Sequence, residues 1–181
     1  MDKDRVGHWL TLAANLGVIV GIAFLVLEIR QNSDIATAQV RLDYAAGWRS
    51  IDGQRQDEAF AQVYSRSILD PDQLSFSEVV QLDGYYVGVI DQMQSAYTAS
   101  RAGLRSGRFE DVAREVAILY FSNAFSQAWW QQARESWSGL ENSDFQGIMD
   151  EAIGAAGKRG NQEFYEGILR SLSPGAERAD N

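Results

Sequence analysis

Between His8 and Leu27 the chain carries no Asp, Glu, Lys or Arg. A helix of these twenty residues is roughly 30 Å long, the thickness of a bilayer hydrocarbon core. Leu10, Leu12, Leu16, Val18, Ile19, Val20, Ile22, Phe24, Leu25, Val26 and Leu27 together favour insertion by roughly 3 to 7 kcal/mol. Asn15, His8 and the glycines return part of that. Trp9 stands where an interfacial aromatic belongs, and Lys3, Arg5 and Arg30 flank the segment. The expectation is a transmembrane helix over 8–27, preceded by a leader at 1–7. The alternatives are a buried core helix and a cleavable signal peptide. Ala36-Thr37-Ala38 has the small-x-small form of a cleavage site, but Glu28, Arg30 and Asp34 separate it from the apolar run.

The span has two unlike faces. Ala13, Gly17 and Gly21 recur every four residues, a spacing that lets helix backbones approach closely in lipid. Thr11 and Asn15, with His8, form a polar stripe on nearly the opposite side, and an Asn in hydrocarbon seeks a hydrogen-bonding neighbour. Both faces are expected to contact other membrane helices. Lys3 and Arg5 on one side nearly balance Arg30 and Arg41 on the other, so the positive-inside rule is close to a tie. The large domain is expected on the cytoplasmic side of a bacterial inner membrane, a choice that leans on the lack of cysteine.

The rest of the chain, 28–173, reads as an all-α domain, a four-to-five-helix bundle into which the first helix continues, with a tail at 174–181. Helical spacing of Ile35, Ala38, Leu42 and Ala45 carries the first helix past Glu28 towards Ser50. A short helix is expected over Gln56–Leu69, ended by Asp70-Pro71. Ser75-Phe76-Ser77-Glu78 is a capping box. The helix it opens bears the apolar stripe Val79, Leu82, Tyr86, Val89 or Ile90, Met93 and Tyr97. Gly103 suits a left-handed cap. One long helix is expected over Phe109–Trp137, folded back on its predecessor and ended by Gly139. A helix over Ser143–Ala155, a turn rich in glycine (Gly154, Gly157, Gly160) and a helix over Gln162–Leu172 complete the bundle.

The chemistry offered is narrow. The single histidine is His8 and there is no cysteine, which removes thiolate metal sites, thiol catalysis and any His-based triad outside the span. No Glu-x-x-His pair, phosphate-cradling loop or dinucleotide fingerprint occurs. The net charge of −9 and the pI near 4.6, without a basic run, argue against nucleic acid. Glu110, Asp111, Arg114 and Glu115 open a helix, where acidic residues complement its dipole; they read as a solvated face, as do Asp150 and Glu151. Asp83 and Asp91 are either exposed, paired with an arginine across the bundle, or part of a polar cavity. Five tryptophans imply a sizeable aromatic core or interface. Phe121, Phe125 and Trp129 fall on one side of their helix. Trp130, Arg134 and Trp137 fall on another, as an arginine stacked between indoles, a partner surface or the wall of a pigment or lipid pocket.

The sequence Leu25-Val26-Leu27-Glu28-Ile29-Arg30-Gln31-Asn32 resembles a broad group of bacterial single-pass proteins. In that group an N-terminal membrane helix ends in Glu-Ile-Arg-Gln-Asn and a helical domain follows. Gly103-Leu104 and Trp129-Trp130-Gln131-Gln132-Ala133-Arg134, followed by Phe145 and Asp150, extend the resemblance over most of the chain. Many members carry Thr after the Asn, where this chain has Ser33. The resemblance implies an anchor and a bundle, and transfers no activity, catalytic residue or cofactor. The functions in view are a self-associating membrane-anchored scaffold, an accessory subunit of a larger respiratory, photosynthetic or transport complex, and an oligomeric pore lined by Thr11 and Asn15. The partners expected are the bilayer and either further copies or another membrane protein. No enzyme activity and no cofactor are expected.

Overall fold

The computed structural model describes the backbone at residues 3–136 and 143–172, and side chains at 8, 9, 12–135 and 144–172. Among these residues the chain is all-α. Its helices are α1 (Lys3–Gln54), α2 (Glu58–Leu69), α3 (Phe76–Arg101), α4 (Phe109–Tyr120), α5 (Ala124–Ser136), α6 (Ser143–Ala156) and α7 (Gly160–Leu172), with one 3-10 turn at Pro71–Gln73. The chain divides between Leu42 and Asp43 into two compact units. The tail at 174–181, Gly139 and the first two residues of the leader lie outside the described residues.

Among its described residues the first unit is helix alone. By length and composition α1 can cross a membrane. Every side chain from Leu12 to Ala36 is exposed, including Leu16, Phe24 and Leu27. A core helix of a soluble bundle would bury most of this surface. The helix neither stops at the end of the apolar run nor begins after the leader: it starts by Lys3 and persists to Gln54.

The second unit is built around α3. Leu82, Tyr86, Val89, Ile90 and Met93 are wholly buried on it, with Tyr85, Ala96 and Tyr97 beside them. The capping box forms as expected. The Ser75 N–H donates to Glu78 Oε2 at 2.8 Å, and Ser75 Oγ accepts from the Glu78 N–H at 3.4 Å. The Ser75 amide, helped by the Ser75 hydroxyl and Arg66, holds the Glu78 carboxyl below its ordinary range. At the other end Gly103 adopts φ +70°, and the Leu104 N–H returns to the Ala99 carbonyl at 2.9 Å. The start of α2 is set by Asp57, which accepts from the Phe60 N–H at 2.9 Å, so the helix begins two residues later than its periodicity suggests.

The single helix expected over Phe109–Trp137 is two helices. It breaks after Tyr120 and restarts at Ala124, without proline or glycine. Asn123 causes the restart. Its Oδ1 accepts from the Ser126 N–H at 2.9 Å, while Ser126 Oγ accepts from the Asn123 N–H at 3.4 Å. This reciprocal cap satisfies orphan donors that a continuous helix would have spent on carbonyls one turn back. Asn123 Nδ2 also reaches Asn161 Oδ1 at 3.0 Å, and Asn161 Nδ2 donates to the Leu119 carbonyl at 2.9 Å. The break and the start of α7 are thus one buried polar knot. Gly160 belongs to it, since a Cβ there would lie 2.8 Å from Ser122 Oγ.

The break changes what α4 packs against. Its most extensive neighbour is α6, more than the preceding α3. Ala113, Ala117 and Ala152 are buried on the two helices, small enough for close approach. Tyr97, Phe109 and Phe145 close one end of the core as three mutually adjacent rings, 5.1 to 5.8 Å between centroids.

Candidate functional site

Three regions of the described surface and core stand apart from ordinary packing. The first is a cleft between α5 and α6 of about 240 Å³. On α5 the residues Gln127, Gln131 and Arg134 recur at four and three, and Ala124, Ala128 and Trp130 fill the same side. Asp150, Ile153 and Gly154 face them from α6, and Lys158 stands in the turn that follows. Asp150 is the joint. Trp130, itself wholly buried, donates Nε1–H to Asp150 Oδ1 at 2.8 Å, and Arg134 Nη1 donates to Asp150 Oδ2 at 2.6 Å. Gln127 Nε2 donates to the carbonyl of Ile153 at 3.2 Å and also to that of Gly157, tying α5 to the end of α6. Gly157 takes φ +73°, which turns the chain there.

This arrangement corrects two expectations. Asp150 is not part of a solvated acidic face: it is half-buried and spends both oxygens across a helix interface. Trp130 is not part of an exposed partner surface, because none of its side chain is exposed. Arg134 remains partly exposed but is held by a carboxylate. Trp137 lies outside the described residues.

The second region joins residues from four parts of the sequence. Asp52 at the end of α1 accepts from the Tyr120 hydroxyl at 2.9 Å and pairs with Arg55. The Arg55 guanidinium lies 4.8 Å from the centre of the Tyr120 ring and 5.8 Å from that of Tyr64. The hydroxyls of Tyr64 and Tyr85 are buried without a hydrogen-bond partner among the described residues. Burial pushes both phenols well above the ordinary tyrosine range, and that of Tyr86 up to about 12. Nothing in the sequence pattern marks this cluster, which only the fold assembles.

The third is an apolar face. Phe164, Ile168, Leu169 and Leu172 on α7 are exposed, as are Ile118 and Leu119 on α4. Elsewhere the expected placements are plain. Phe121, Phe125 and Trp129 do meet, each with its ring against Tyr86. Asp83 takes the Trp129 Nε1–H at 2.8 Å rather than an arginine, and Asp91 is exposed. Asp111 pairs with Arg114 at 3.0 Å on an open surface. Ala13, Asn15, Gly17 and Gly21 are exposed, and a Cβ on either glycine would meet open space; the side chain of Thr11 lies outside the described residues. Among the described residues no three His, Asp or Glu side chains assemble into a metal-sized group.

Compared with known proteins, the chain matches no family model, no curated protein and no solved structure.

Proposed function

We propose that the chain is a membrane-anchored helical module that associates with further copies of itself through α1. One observation carries this reading: a helix whose apolar side chains from Leu12 to Leu27 are all exposed among the described residues. Lipid covers such a surface, and the stripe of Ala13, Gly17 and Gly21 gives it a face on which two backbones can approach. Asn15, turned away from that stripe, gains from a second helix able to accept its amide hydrogens. The bilayer in view is a bacterial inner membrane, with the large domain on the cytoplasmic side.

The double variant Gly17→Ile with Gly21→Ile tests the reading. Light-scattering mass in mild detergent is expected to fall from an oligomer to the monomer, with the helical signal unchanged. An oligomer of the same mass in the variant would exclude this face. A second reading, an accessory subunit of a larger membrane complex, draws on the exposed apolar face of Phe164, Ile168, Leu169 and Leu172. Gentle native purification separates the two: the first expects copies of this chain only, the second a constant companion.

A further inference from the structure

We propose that the cleft between α5 and α6 is a binding site for a small organic monocarboxylate, a function separate from association through α1. The argument begins with charge. In a chain of net charge −9, this cleft is lined by two cations, Arg134 and Lys158, against the single carboxylate of Asp150. Asp150 is already engaged on both oxygens by Trp130 and Arg134. Arg134 spends Nη1 on it, and its remaining N–H groups have no partner among the described residues. Lys158 and the Gln131 amide likewise have no hydrogen-bond or ion partner among those residues. Two cations and a neutral amide therefore line the cleft with donor capacity to spare. A guanidinium edge with an ammonium nearby matches a carboxylate.

Size and lining restrict the rest of the ligand. At about 240 Å³ the cleft is smaller than the roughly 300–1,000 Å³ of sites for drug-sized molecules. It exceeds the roughly 150 Å³ cavity that accommodates benzene. A single ring or a short branched chain bearing one carboxylate fits between. Ala124 and Ala128 supply the exposed apolar wall for that body, with Trp130 and Ile153 buried behind it. One surplus positive charge matches a single negative charge, and the apolar part of the wall matches an organic body, which together favour an organic monoanion over a highly charged inorganic one.

Gly154 provides a test that leaves the fold intact. It lies within α6 on the cleft wall, and a Cβ there meets nothing within 4 Å. A glycine inside a helix costs about 1 kcal/mol relative to alanine, so Gly154→Leu is expected to fold at least as well while filling the cleft. The full chain in mild detergent is titrated calorimetrically with benzoate, with benzamide as its neutral counterpart and with inorganic phosphate. Saturable benzoate binding is expected, with benzamide and phosphate each at least tenfold weaker. Gly154→Leu and Lys158→Gln are each expected to weaken benzoate at least tenfold, with helical signal and urea midpoint not lowered. Absence of saturable benzoate binding overturns the proposal. So does equal binding of benzamide or phosphate, or benzoate binding undiminished by Gly154→Leu, which would place the heat in the micelle or elsewhere on the chain.

Discussion

The apolar part of α1 and the middle of α3 use similar residues in opposite ways. On α3 Leu82, Val89 and Ile90 are wholly buried, while Gln81, Asp83 and Asp91 on the same helix face outwards. On α1 Leu16, Ile19, Phe24 and Leu25 are each more than half exposed, and no charged residue relieves the apolar surface from Leu12 to Leu27. An apolar stripe with a polar back is matched to neighbouring helices, whereas a helix apolar all round is matched to lipid or to another chain. The distribution of the polar residues around the axis, more than hydrophobicity itself, tells the two surroundings apart.

The largest test of this contrast pairs two leucines. Leu82→Ala is expected to cost the domain about 2–5 kcal/mol, as removal of a close-packed core side chain does. Leu25→Ala is expected to change it by no more than about 0.5 kcal/mol. Both are read as urea midpoints of the full chain in mild detergent, followed by near-ultraviolet circular dichroism of the aromatic core. Equal losses would mean that the apolar run of α1 packs into the domain, and the contrast would fail.

A smaller effect is expected at the break between α4 and α5. Asn123→Ala removes a helix cap, about 1–2 kcal/mol, and leaves the Asn161 amide oxygen without its donor. A loss of about 2 kcal/mol is expected in the same urea assay. A loss of under 0.5 kcal/mol would show that packing, rather than the cap, makes the break.

This break is also where sequence reading reached its limit. Caps with a local signature were legible: Ser75 with Glu78, Gly103 with its positive φ, and the passage of α1 through Glu28. The break was not, because Phe121, Phe125 and Trp129 keep a helical period across it. The signal available was Asn123 with Ser126, an N-cap pattern without the usual acidic partner. The union of Trp130, Arg134 and Asp150 depends on how α5 meets α6, which no local periodicity encodes. The sequence offered only an acid near the apolar residues Phe145, Met149 and Ile153, which the fold buries, so that the carboxylate needs a donor. The meeting of Asp52, Arg55, Tyr64, Tyr85 and Tyr120 is less legible still, since its members are spread over 69 positions and share no motif.

The smallest effect at neutral pH belongs to that cluster, and it grows with alkalinity. Tyr85→Phe keeps the ring that packs on Tyr64, Tyr86 and Phe60. It removes a buried hydroxyl without a partner among the described residues. Because an unpaired buried polar group is unfavourable, the variant is expected to be more stable at pH 7 by up to about 1 kcal/mol. Burial, reinforced by the neighbouring Tyr64, holds the Tyr85 phenol protonated in the fold well above its ordinary range, whereas the unfolded chain ionises it near pH 10. The unfolded state therefore binds fewer protons than the folded one above that pH, and stability falls as pH rises. The contribution is whole below about pH 10 and is lost progressively above it. Removing the phenol removes this one share of the loss, so the advantage of the variant is expected to widen between pH 8 and pH 10.5 in urea titrations. A variant less stable at pH 7 would mean that the hydroxyl is hydrogen-bonded in solution. A gap that does not widen would mean that Tyr85 reaches water as freely in the fold as the exposed leucines of α1 do.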